Sequence, residues 1–424
     1  MKKYDNYKNS GVEWLDEIPE HWGVKRFKHI SNIQKGKLPK KIVSSNDANL
    51  PPYMSMEYLR GGEENQWVFD KDAKIIDENK TLLLWDGSNA GEFIKSRKGV
   101  ISSTVAEIEF KNIHNNFAWF YSKFLETELR KKTIGMGIPH VNGNELKNFS
   151  IAIPPINEQT AIANFLDDKT TKIEQAIAIK QKQIELLKER RQILIHKAVT
   201  RGLNDTVKLK DSGVKWIGEI PEHWEIKKLF GLCNFIRGNS TFSKDELLSS
   251  GDYVALQYGK TYKVDEINNS YNFYVNDEFY KESQVVKYED TILISTSETL
   301  EDLGHSAYYN RNDLGLIGGE QILLNPNNKK VNGHYLYFYS KLFSKELRKY
   351  ATGIKVFRFN VNNLKTIYIS IPSLKEQKQI VEFIETATKK IATAISLKEQ
   401  EIEKLKEYKM SLIDGVVTGK VKVC

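Results

Sequence analysis

A chain that states the same sentence twice has to fold, in outline, twice. Residues 10–22 read SGVEWLDEIPEHW and residues 212–224 read SGVKWIGEIPEHW, with ten of thirteen positions identical. At this first match Trp14 falls on Trp216, Pro19 on Pro221 and Trp22 on Trp224, an offset of 202. A second match sets FYSKFLETELRK (120–131) against FYSKLFSKELRK (338–349), and a third sets IPPINEQ (153–159) against IPSLKEQ (371–377), both at 218. The offset of 218 then holds to AVT (198–200) and VVT (416–418). The chain of 424 residues is thus one unit of about 200 residues written twice, with a single 16-residue change of register between the first and second matches. The halves disagree over 28–116 and 230–334. Matched segments read as scaffold; diverged segments have either drifted or read something different in each half.

Residue patterning gives each half a head and a tail. KTLLLWD (80–86), GVISSTVAEIEF (99–110), TILIST (291–296) and GGEQILLN (318–325) are apolar, β-branched and bounded by Gly or Asp, so they predict strands. Residues 117–132 and 335–350 carry an aromatic and leucine face at helical spacing with basic residues in the last turn, which predicts helices. Each half thus opens with an α+β domain of about 150 residues.

The tails predict a short amphipathic turn set (Ile162, Phe165, Leu166; Ile380, Phe383, Ile384) and then a separate long helix over about 171–199 and 389–417. The long helices keep a heptad seam: Ile173, Ile177, Ile184, Leu187, Leu194 and Ala198 in one, Ile391, Ile395, Ile402, Leu405, Leu412 and Val416 in the other. Lysine interrupts both seams at matching points, Lys180 and Lys398. The connection 201–213 is short, so the second helix returns along the first. The expected architecture is α+β: two α/β domains separated by an antiparallel coiled coil of two long helices, with an internal pseudo-two-fold repeat. At 1.5 Å per residue such a rod spans roughly 42 Å. The expected segments are 1–155, 156–205, 206–373 and 374–424.

Composition narrows the function classes. A formal charge of +8 suits a polyanionic partner without requiring one. Two cysteines, Cys233 and Cys424, cannot build a disulfide framework or a Cys-rich zinc site. MKKYDNYKNS at the N-terminus has no apolar core of the secretory kind, and no apolar run approaches the roughly 20 residues a membrane span needs, so a cytoplasmic, soluble protein with no membrane partner is expected.

Catalytic patterns are sparse. NLPPY (49–53) comes near the Asn/Asp-Pro-Pro-aromatic motif of amino-methyltransferases, but Leu50 stands where the side-chain acceptor for the target amino group belongs, so a turn is expected instead. GVVTGK (415–420) has three residues between its glycines and Val421 in place of the magnesium-binding hydroxyl, which argues for a helix terminus and against a phosphate loop. The eight histidines show no paired metal-ligand spacing, and His21 and His223, each beside a repeated Trp, read as packing or capping residues. No catalytic residue, metal site or cofactor is assigned to this chain.

The duplicated SGVxWxxEIPEHW start, the IPP…EQ lead into a long helix, and the AVTRG and VVTGK helix ends together resemble the specificity subunit of type I restriction-modification systems, over essentially the whole chain. The resemblance implies two target-recognition domains, each reading one half of a bipartite site in double-stranded DNA, and helices that dock modification (methyltransferase) subunits. Two such subunits follow from the pseudo-two-fold axis; up to two restriction subunits are the further partners it allows. S-adenosylmethionine for adenine N6-methylation, and ATP with magnesium for cleavage, are then expected on the partners. The alternative is a DNA adenine methyltransferase or nuclease with its own active site; a third reading is a coiled-coil adaptor that binds only proteins, which a salt-sensitive DNA-binding measurement separates from the first.

For a DNA reader, the diverged stretches supply phosphate- and base-contacting side chains beside glycines. The candidates in the first head are Lys35, Lys37, Ser88, Asn89, Arg97, His140 and Asn142. In the second they are Arg237, Asn239, Ser240, Ser295, Thr296, Ser297, Lys355 and Arg358. The coiled-coil and partner interface is assigned to Ile177, Ile184, Leu187, Leu194, Ile395, Ile402, Leu405 and Leu412. Half-sites about one DNA turn apart, unlike each other and separated by an unread gap, are the expected target.

Overall fold

The computed structural model describes residues 2–45, 49–135 and 137–423. Cys424 lies outside the described residues; Cys233 is a buried free thiol. The chain forms two compact units that do not follow sequence order: 1–181 with 398–424, and 182–397.

In the first unit an antiparallel sheet runs in the order Ser31–Lys35, Val105–Phe110, Thr81–Leu84, Phe93–Lys95. Side chains alternate across it, as a pleated strand requires. Leu83 faces the main core with Phe117 and Tyr121, while Leu82 and Leu84 face a smaller core with Met54 and Tyr58. Tyr58 belongs to a one-turn helix, α1 (Met56–Leu59), and Phe117 to α2 (Asn115–Lys131). A short helix, α3 (Gly143–Asn148), capped by Asn142, leads to the strand Ser150–Ile153 and then to α4 (Ile156–Arg201).

The second unit repeats this frame with five strands: Cys233–Arg237, Gln321–Pro326, Thr291–Ile294, Ser306–Tyr309 and Glu266–Ile267. Its helices are α5 (Tyr258–Thr261), α6 (Gly333–Leu347), α7 (Val361–Leu364) and α8 (Leu374–Val417). A further four-stranded sheet, from Tyr253–Leu256, Tyr274–Val275, Val285–Val286 and Gly315–Ile317, stands where the first unit has only two-stranded pairs. The added residues lie there, and the register correspondingly shifts in steps rather than once. Arg237 takes the place of Lys35, Ile294 that of Leu84, Tyr308 that of Lys95 and Gln321 that of Val105, at offsets 202, 210, 213 and 216.

The predicted strand over 99–110 is two strands, Gly99–Val100 and Val105–Phe110, because a turn closed by Ser102 and Thr104 interrupts it. The predicted break before residue 171 is absent, and α4 is continuous for 46 residues as α8 is for 44. DDKTTK (167–172) is polar but contains no Gly or Pro. Asp168 pairs with Lys172 one turn on at 2.7 Å and only Thr170 of the stretch is buried, so the helix continues with most of these side chains in solvent. Both long helices end as expected, on left-handed glycines: Gly202 (φ 73°) and Gly419 (φ 78°).

The two helices run antiparallel within the first unit: Lys180 reaches Glu401 at 2.5 Å and Lys409 reaches Glu174 at 2.5 Å. Glu401 also accepts from Lys398 at 3.1 Å, so one carboxylate answers both lysines that interrupt the seam. Lys180 first, then Lys398, holds that carboxyl below its ordinary range. Ile173, Ile184, Ile402 and Leu412 are buried in the seam; Ile177, Leu187, Leu194, Ile395 and Leu405 are half-buried.

Candidate nucleic-acid interface

In each unit three segments meet at one rim. The strand Ser31–Lys35 delivers Lys35 at its end, where Gly36 lets the backbone approach so closely that a Cβ would lie 2.3 Å from the Ser102 carbonyl. Arg237 is delivered the same way: a Cβ on Gly238 would lie 1.8 Å from the Gly318 carbonyl. Asp86, just past the central strand, pairs as a bridge with His140, and Thr296 pairs with Arg358. The third segment is a short tongue. Ile134 and His140 exchange backbone hydrogen bonds at 2.9 and 2.7 Å, and Thr352 and Arg358 at 3.0 and 2.9 Å. Gly135 (φ 111°) and Gly353 (φ 117°) turn the two tongues. The tongues then lead into α3 and α7, each with an asparagine cap, Asn142 or Asn360.

Side chains on the two rims differ. In the first, Asp86 sits between two basic side chains: 2.7 Å from His140 Nδ1 and 3.5 Å from Lys35 Nζ, with Lys35 also over the Trp85 ring. In the second, Arg358 lies 3.9 Å from Glu320, and Lys281 Nζ donates to the Asn239 carbonyl at 3.4 Å. Asp86 and Glu320 keep these basic groups oriented without neutralising the rims; Lys37 and Lys355 make no ion pair among the described residues.

Of the sequence candidates, Lys35, Lys37, Ser88, His140, Arg237, Asn239, Lys355 and Arg358 are exposed on these segments, with Asn89 half-buried. The others stand differently. The Arg97 guanidinium packs on the Tyr58 ring and donates to the carbonyls of Tyr58 and Gly62, the latter at 2.7 Å. Asn142 spends its side-chain oxygen on the amides of Asn144 and Glu145. Ser240, Ser295, Thr296 and Ser297 are buried, with Ser295 Oγ donating to the Glu320 carbonyl at 2.9 Å. These six hold the rim in shape from beneath or beside it.

Sequence reading missed Asp86, Trp85 and the pair Tyr258 and Tyr262, whose rings stack at 5.6 Å beside Ser297, the hydrogen-bond partner of Tyr258. The signal was present: YGKTYK (258–263) alternates aromatic and basic residues, a pattern that suits nucleic acid. NLPPY is not the expected turn. The Pro51 and Pro52 carbonyls accept from the amides of Val68 and Val100, which makes the segment a paired, extended edge. A cavity of about 650 Å³ in the second unit is lined by none of the rim residues. Of its carboxylates, Asp265 is spent on Lys341 at 2.7 Å and Arg191 at 3.5 Å.

The seam residues assigned to a partner interface are buried or half-buried, but a second heptad stripe on α4 is not. Ile179, Leu186 and Ile193 are 59%, 53% and 60% exposed at seven-residue spacing. The matching positions on α8 are Leu397, Lys404 and Ser411.

One α+β frame built twice, each copy carrying its own rim of basic and polar side chains, defines a duplicated recognition protein. The description "Type I restriction modification DNA specificity domain" matches residues 19–188 and again 221–407. The chain is 32% identical to the type I restriction enzyme MjaVIII specificity subunit of Methanocaldococcus jannaschii, over 96% of its own length and 94% of that protein's. To the EcoKI specificity subunit of Escherichia coli it is 26% identical over 48% of this chain and 44% of that one. Its fold matches a chain from a structure of type I restriction-modification complex assembly, with TM-score 0.71, 14% identity and coverage of 95% and 99%. It also matches the HsdS subunit of Thermoanaerobacter tengcongensis, with TM-score 0.50, 16% identity and coverage of 95% and 98%. This chain belongs to the family of type I restriction-modification DNA specificity subunits. Among the described residues no helix is long and apolar enough to cross a membrane.

Proposed function

We propose that the chain is the non-catalytic, sequence-reading subunit of a type I restriction-modification complex, working in the cytoplasm. It binds double-stranded DNA through its two rims. The single observation that supports this most is the change of rim residues on a constant frame: Lys35 and His140 in one unit are replaced, position for position, by Arg237 and Arg358 in the other, while Asp86, which orients the first pair, is replaced by the buried Thr296. Unlike readers on one scaffold fit a target of two unlike halves with an unread gap. Phosphate contacts fall to Lys37 and Lys355, base edges to His140, Asn239, Arg237 and Arg358.

The α4 stripe of Ile179, Leu186 and Ile193 supports docking of a modification subunit; two such subunits per chain, with restriction subunits joining them, follow in this reading from the internal repeat. S-adenosylmethionine, and ATP with magnesium, are held by those partners in this reading.

The test is to replace residues 28–116 with the matching stretch of a relative and map methylated adenines in cells. One half of the site should change while the gap and the other half stay fixed; change in both halves, or in neither, rules the modular reading out. The non-catalytic part is separate: purified chain that transfers methyl groups from S-adenosylmethionine to DNA refutes it.

A further inference from the structure

Scattered exposed apolar residues need no explanation on a protein surface. The tongues are a different case, because the apolar exposure recurs at one place in two copies whose neighbouring residues have changed. Ile354, at the tip of the second tongue, is 96% exposed, and Val356 beside it is 36% exposed. On the first tongue Ile134 and Ile138 are 55% and 61% exposed. Lys355 and Arg358 flank the second tip, and Arg237 ends the neighbouring strand. Gly353 fixes the hairpin so tightly that a Cβ there would meet the Val356 carbonyl at 1.9 Å, which holds the tip outward.

An apolar point flanked by basic side chains matches one feature of duplex DNA, apolar stacked bases behind a wall of phosphates. An isoleucine is stiff at χ1 and loses little rotamer freedom on insertion. A contact to a thymine methyl at a groove edge is the simpler use of an apolar side chain. It needs a residue level with the polar readers. Ile354 instead stands at the tip of the hairpin, nearly fully exposed.

We infer that Ile354 is a wedge: on binding, the tongue of the second unit drives it between two base pairs of its half-site, unstacking that step and bending the duplex. This rests on the DNA-reading function proposed above.

The experiment uses the full chain with its modification partners, without S-adenosylmethionine, on duplexes carrying the mapped site. A single mismatch or nick is moved step by step through the second half-site. A wedge spends less on a step already weakened, so one position should tighten binding by roughly tenfold. Ile354→Ser should lose that gain and show less bending by end-to-end energy transfer. Its thermal midpoint should match wild type, since the side chain makes no buried contact. The inference is overturned if no step tightens binding or if Ile354→Ser keeps the gain. It is equally overturned if deoxyuridine in place of a thymine reproduces the Ile354→Ser loss, which would mark a methyl contact. Absence of any salt-sensitive binding by wild type would remove the DNA-reading function itself, and the wedge with it.

Discussion

Trp22 Nε1 donates to Glu158 at 3.1 Å, and Trp224 Nε1 donates to Glu376 at 3.0 Å. His21 and His223 reach the same carboxylates at 2.9 and 3.1 Å. The repeated EHW and the repeated EQ are therefore two ends of one clamp, made once in each unit. The glutamine next door completes it: Gln159 accepts from the His114 amide and donates to the Pro154 carbonyl, both at 2.8 Å. Gln377 does the same for Asn332 and Pro372, at 2.7 and 3.0 Å. Under the clamp lie the helix-ending glycines, Gly419 against Trp22 and Gly202 against Trp224, where a Cβ would meet the indole at 3.2 Å.

Removing the clamp should therefore cost stability and leave the rims untouched. Glu376→Ala strands a fully buried indole N–H, and Gln377→Ala strands the Asn332 amide and Pro372 carbonyl, at about 1–3 kcal/mol for each orphaned group. Glu376→Gln keeps an acceptor and should lose less. Urea unfolding of the three variants checks the order; equal losses would mean the indole bond is idle.

The seam and the stripe should separate in experiment. Leu405→Asp places a carboxylate against the first unit's core and should destabilise by roughly 2–4 kcal/mol; Leu187→Asp tests the same seam on α4. Ile179→Ser, Leu186→Ser and Ile193→Ser together remove only exposed groups, so melting should not change while co-purification of the methyltransferase partner falls. Unaltered assembly of the triple variant would place docking elsewhere.

Two buried groups in the second unit should give it opposite pH responses. Burial pushes the Asp290 carboxyl up to about 6 from its ordinary 3.8, hydrogen bonds from the Lys287 amide and Asn325 only partly opposing. The protonated acid is the form the fold prefers, so its stabilisation is complete below about 3.8 and is lost as pH rises through about 6. His334, stacked on Tyr308 at 4.0 Å, is held by burial at about 4 against 6.5, although the half-exposed Glu385 carboxylate 3.0 Å from its Nδ1 opposes that shift. The fold prefers it neutral, so that stabilisation is complete above 6.5 and is lost as pH falls through about 4. Each shift corresponds to on the order of 3 kcal/mol. Asp290→Asn should flatten the high-pH limb of the urea midpoint, and His334→Asn, the residue found at the matching position 116, should flatten the low-pH limb. Unchanged limbs would contradict the assignment.

DNA contacts should sort by chemistry. Lys37→Ala and Lys355→Ala should weaken binding to all duplexes alike and lower the salt slope by about 1 each. Arg358→Ala should cost about 1–3 kcal/mol and relax preference in the second half-site only. A uniform effect of Arg358→Ala would make it a phosphate contact.

The frame was legible because it is written twice. The central strands, α2 and α6, the helix ends and the seam all followed from repetition plus periodicity. What escaped has physical causes. The turn of helix over 167–172 is polar while its backbone continues, and polarity alone reads as a break. The clamp was visible as four conserved-looking letters in each half, but Glu158 meets Trp22 across 136 residues, a pairing no local pattern encodes. On the rims, loop composition marked segments that lie together at the surface, yet Ser295–Ser297 are buried by strand pairing with the tongue, which depends on three-dimensional closure.

The first unit contains both ends of the chain. Lys2 bridges Lys422, Tyr7 donates to the Gly419 carbonyl at 3.1 Å, and Leu412, Ile413, Val416 and Val417 share its core with Ile162 and Leu166. A ribosome finishes residue 181 and must then add the whole of the second unit before those last residues exist, which at 5–20 residues per second takes roughly 10–40 s. Through that interval the first-made half carries an open apolar face at the flank of α4. The unit synthesised first is therefore completed last, and the second unit closes ahead of it.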